Sequence, residues 1–69
     1  MKAYAIYRQS PNTGRWFLRS AFHALDEAKL VIAITGSEDR FAIVEHRDLN
    51  TWPPDMLQKL PADGKLGLF

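Results

Sequence analysis

Residues 2–22, KAYAIYRQSPNTGRWFLRSAF, decide how this chain is read. Residues 2–8 and 15–22 are rich in aromatic and other strand-favouring side chains, and they bracket a polar loop, Gln9-Ser10-Pro11-Asn12-Thr13-Gly14. Proline presets the backbone for the first corner of a type I turn, and glycine accepts the left-handed conformation that closes such a loop. Two strand-like runs around a short glycine-containing loop predict a β-hairpin.

Working outward, residues 25–35 (LDEAKLVIAIT) begin with Asp26 and Glu27 and stop before Gly36. Acids in a first turn oppose the helix dipole, and a glycine just beyond the last turn suits a helix stop. Leu25, Ala28, Val31, Ile32 and Thr35 then share one face, so a helix is predicted. The β-branched Val31, Ile32 and Ile34 leave a strand as the alternative. Residues 41–46 (FAIVEH) follow a polar turn and read as a third strand. Residues 53–60 are predicted to form a short helix, with Thr51 as a cap and prolines in the first turn, ended by Pro61.

The fold class expected is α+β with element order β-β-α-β. A right-handed crossover from the second strand places the third beside the first. This gives a three-stranded antiparallel sheet in order 2-1-3, with the main helix on one face and a short C-terminal helix. Residues 1–60 form the single domain and 61–69 a loosely held tail, from which Leu66, Leu68 and Phe69 can pack back.

Sixty-nine residues hold one hydrophobic core. Chains of this size bury only about 60% of the surface that unfolding exposes, so stability is expected to be modest. Apolar residues at 46% and charged residues at 25% argue for a folded globule rather than a disordered chain. There is no cysteine, hence no disulfide and no thiolate ligand or nucleophile. The first ten residues lack a signal peptide's apolar stretch, and no run approaches the roughly 20 residues of a membrane span. A cytoplasmic location is the expectation.

The net charge of +1 is unevenly distributed. Residues 1–25 carry Lys2, Arg8, Arg15 and Arg19 and no acid, whereas residues 26–69 carry eight acids and five bases, a net of −3. Strand alternation separates two faces of the hairpin. Ala3, Ala5 and Tyr7 with Trp16, Leu18 and Ser20 are small and apolar enough to lie under the helix. Lys2, Tyr4, Ile6 and Arg8 with Arg15, Phe17 and Arg19 form the other face. If that face is open, its rings can stack on bases while its cations meet phosphates. If residues 52–60 cover Tyr4, Ile6 and Phe17, the cations are merely a solvated rim.

The helix offers a second surface. Leu30, Ala33 and Ile34 lie away from the Leu25-Ala28-Ile32 stripe, and a helix apolar over most of its circumference is normally covered on both sides. The cover is the C-terminal segment, a second copy of the chain, or another protein. Unpaired sheet edges are a further route to association. Trp52-Pro53-Pro54 reads as a rigid turn anchoring the next helix rather than a recognition motif.

Chemistry is sparse. His23 and His46 lie in different elements, without a serine or carboxylate at a catalytic spacing. Glu45-His46-Arg47-Asp48 is the densest polar cluster, and His46 and Asp48 would point the same way on a strand, but such a cluster usually marks a solvated strand exit. Gly36-Ser37 lacks the further glycines and lysine of a phosphate loop. No catalytic residue, cofactor, metal or small-molecule substrate is expected. The leading expectation is a protein-binding module acting through Leu30, Ala33 and Ile34 on a partner or on itself, such as the small regulators and inhibitors carried by phages and other mobile elements. The alternative is a nucleic-acid-binding domain using Lys2, Tyr4, Arg8, Arg15, Phe17 and Arg19.

Overall fold

A computed structural model describes residues 2–35, 40–46, 53–61 and 65–68. Its elements are β1 (Ala3–Gln9), β2 (Trp16–Phe22), α1 (Leu25–Thr35), β3 (Phe41–His46), β4 (Met56–Leu57) and β5 (Lys65–Leu68). All five strands join one sheet in the order β4-β2-β1-β3-β5, with every neighbouring pair antiparallel.

The hairpin forms as its sequence requires. Gly14 has φ 74°, and its N–H donates to the Ser10 carbonyl at 2.9 Å, while the Ser10 N–H donates to the Arg15 carbonyl at 2.8 Å. A side chain at position 14 would be strained in that left-handed conformation. The helix spans Leu25–Thr35, with Asp26 and Glu27 in its first turn. Its expected stop at Gly36 lies outside the described residues. The order β2-β1-β3 at the centre of the sheet matches the topology expected from the crossover.

Two expectations are corrected. The sheet has five strands, not three, and residues 53–60 do not form a helix. Only six residues separate Pro54 from Pro61, under two helical turns, and so short a helix has little stability of its own. The open edge of β2 offers backbone partners instead. Leu18 N–H donates to the Asp55 carbonyl at 2.8 Å, and Trp16 and Phe17 pair with Leu57 and Met56. Within residues 61–69, Lys65–Leu68 is strand β5 on the outer edge of β3.

The helix also takes the opposite face of the sheet from the one expected. Leu25, Ala28, Val31 and Ile32 pack over Tyr4, Ile6, Phe22, Phe41 and Ile43. Ala3, Ala5, Tyr7, Trp16 and Leu18 do not lie under it. Ala5, Tyr7 and Trp16 instead form a second cluster with Ala42 and Val44, flanked by Leu18, Ala21, Leu57 and Leu60. The central strand is thus buried on both faces, with Ala5, Ile6 and Tyr7 all inaccessible. A bulge in β2 shifts the alternation further. Ser20 stands opposite Ile6 and Leu18 opposite Tyr7, which leaves Arg19 as the extra residue. Ser20 therefore joins the helix side and Ala21 the side of Ala5, whereas uninterrupted alternation would place Ser20 with Trp16 and Leu18.

Residues 53–61 act as a strap across that second cluster. Tyr7 donates its hydroxyl to the Pro54 carbonyl at 2.9 Å. Burial, helped by the negative charge of Asp55, pushes the Tyr7 pKa from 10.0 up to about 12. The folded state holds this proton more tightly than the unfolded chain, so its contribution to stability is complete below pH 10 and is lost as pH rises to about 12. Stability measured across this window should fall, and Tyr7→Phe should remove that component. Tyrosinate absorbance in a Tyr4→Phe background reads the ionisation directly. Ionisation of Tyr7 near its ordinary value would show that the strap does not bury it. Near neutral pH Tyr7→Phe should cost only about 0.5–1.5 kcal/mol, one hydrogen bond's net contribution.

Candidate binding surfaces

The nine residues singled out as binding candidates fall into three places. Leu30, Ala33 and Ile34 lie on the exposed side of α1, with Leu30 61% and Ile34 73% exposed. They are the two most exposed large hydrophobic side chains among the described residues. Their i, i+4 spacing stacks them one turn apart on the same side. The strap leaves this surface uncovered because it packs on the other side of the sheet.

The basic aromatic face is divided. Tyr4 and Ile6 are taken by the helix, Tyr4 half-buried and Ile6 wholly so. Lys2 sits at the same end, where its Nζ is 3.3 Å from Glu45 Oε1. Lys2 is exposed and Glu45 half-buried, and their pairing neutralises that end. Four strand positions along, roughly 13 Å at strand rise, Arg8 stands opposite both Phe17 and Phe41. There Phe17 remains 46% exposed, and Arg8, Arg15 and Arg19 are exposed around it. The Arg19 guanidinium carbon lies 5.8 Å from the centre of the Phe41 ring, within range of a cation–π contact.

One residue of this strip was not foreseen. Met56, 38% exposed, pairs across β4 with Phe17 and so lies on the same face. Its helical assignment from sequence hid that placement. Leu66, the bulged residue of β5, is exposed separately on the opposite edge of the sheet.

The histidines stay apart. His23 Nδ1 is 3.3 Å from the Lys2 carbonyl beside β2, whereas His46 stands opposite Ala3 on β3. His46 Nε2 is shielded and has no hydrogen-bond partner among the described residues. Asp48, its possible companion, lies outside them. The described residues contain no cluster of three or more His, Cys, Asp or Glu side chains able to hold a metal ion. Nor do they contain a helix long and apolar enough to cross a membrane.

No protein-family model, curated protein or solved structure matches this chain.

Proposed function

We propose that this domain is a non-enzymatic protein-binding module whose docking surface is the outer side of α1. The observation that carries this reading is the exposure of Leu30 and Ile34 in a chain whose other apolar helix positions are used. Leu25, Ala28, Val31 and Ile32 already hold the helix to the sheet, so Leu30, Ala33 and Ile34 are surplus to folding. Large apolar side chains that contribute nothing to a core are characteristic of surfaces that close on another protein.

Leu30→Asp and Ile34→Lys test this. Both sites are exposed, so each variant should stay folded and change stability by no more than about 0.5 kcal/mol. Lysine is chosen at 34 because the last turn carries no basic residue and a cation there favours the helix dipole. Sedimentation and quantitative capture of binding proteins should show association in the wild type and its loss in both variants. Unfolding by either variant would make the side chain part of the core. Unchanged association would place docking elsewhere.

A further inference from the structure

The strip of sheet beside the helix has a composition of its own. Phe17 and Met56 form an exposed cross-strand apolar pair. Arg15, exposed, immediately precedes β2 and lies two positions before Phe17. The bulge gives the Phe17 face Arg19 as an extra residue, turned over the ring of Phe41. Arg8 stands directly across from Phe17.

Three groups of carboxylates among the described residues are engaged away from Phe17. Asp55, next to Met56, acts on Tyr7 on the other side of the sheet. Glu45 is held by Lys2 at the far end of β1. Asp26 and Glu27 open the helix after the Phe22 end of β2. Among the described residues, the strip therefore presents cations around an aromatic ring, and Glu45, which shares that sheet face opposite Tyr4, is paired with Lys2 at the far end.

We infer that this strip binds single-stranded nucleic acid, with one base stacked on Phe17 and the flanking phosphates held by Arg15 and Arg19. Charge complementarity selects a polyanion, and guanidinium groups match phosphate oxygens with paired donors. The exposed ring selects an unpaired strand, because bases in a duplex hide their faces while those of a single strand can stack on an aromatic side chain. Arg19 is already held over Phe41, so its orientation need not be acquired on binding. The arrangement offers one ring and a few cations, which suits weak recognition of a short stretch without sequence preference. It is separate from the outer side of α1, so either surface can fail without the other.

Fluorescence anisotropy with short labelled oligo(dT) and oligo(rU) is the test, with poly-glutamate as a second polyanion. Two or three phosphate contacts predict binding that weakens roughly seven- to twentyfold between about 50 and 200 mM salt. Phe17→Ala should weaken binding by roughly five- to 150-fold, the range for loss of one stacked base. Arg15→Glu, at an exposed site, should weaken binding and flatten its salt dependence. Circular dichroism confirms that both variants are folded, and Leu30→Asp should bind as the wild type does. Absence of binding at low salt overturns the proposal. So does equal affinity for poly-glutamate, which would make the strip a surface for acidic proteins, and so does an unaltered affinity in folded Phe17→Ala.

Discussion

Trp16→Ala is expected to cost about 3–5 kcal/mol, the usual range for truncating a buried aromatic side chain to alanine, and to leave little folded protein at 25 °C. Trp16 is only 6% exposed and stands among Ala5, Tyr7, Ala42 and Val44, three of which are too small to fill the space it would vacate. It is also where the strap attaches, since Trp16 pairs with Leu57 and the same cluster receives Leu57 and Leu60. Its removal therefore opens a cavity and weakens the only described cover on that face. Domain stabilities run from about 5 to 15 kcal/mol, with small chains at the low end, so a loss of this size approaches the whole. Urea unfolding followed by far-ultraviolet circular dichroism measures it. A variant that keeps a folded baseline and loses less than about 1 kcal/mol would show that the strap side is not a structural core.

Ile43→Ala is the matching probe of the other side, with an expected loss of about 2–5 kcal/mol. Ile43 is inaccessible, pairs with Ile6 across β1 and β3, and packs in the cluster that receives Ala28 from the helix. An eleven-residue helix is too short to persist in water without packing. Helical signal and tertiary signal should therefore disappear together on heating, at a lower temperature than in the wild type. Ile43→Val, which removes one methylene, should cost only about 0.5–1.5 kcal/mol. If Ile43→Ala melted the helix first and left the sheet intact, α1 would be an accessory rather than half of the fold.

The two probes flank a central strand that no single layer protects. The alternation along β1 is nearly apolar on both faces over Ala5, Ile6 and Tyr7, and that is visible in the residues themselves. Burial of both faces follows once two covers exist, and the chain provides them from α1 and from residues 53–61. The basic aromatic candidates were legible only in part. Arg8, Arg15, Phe17 and Arg19 stay exposed around one position, while Tyr4 and Ile6 are covered and Lys2 is drawn to Glu45. The exposure of Leu30, Ala33 and Ile34 was legible, because the 3.6-residue repeat separates them from the packing stripe whichever face of the sheet that stripe meets.

What the amino-acid order determined by itself is local. The Pro11–Gly14 loop turns the hairpin, acids and apolar spacing define the helix from Leu25 to Thr35, and a short apolar run after it makes the third strand beside the first. Tertiary structure decided the rest. Period-two alternation defines two faces of a strand but carries nothing about which segment will cover each, so the side taken by α1 emerged only from packing. A single bulge at Arg19 reassigned Ser20 and Ala21, and no residue type announces it. Residues 56–57 and 65–68 are too short to hold a conformation alone, and unpaired backbone groups at the sheet's edges require partners. Those edges, rather than any propensity in the segments, made them strands.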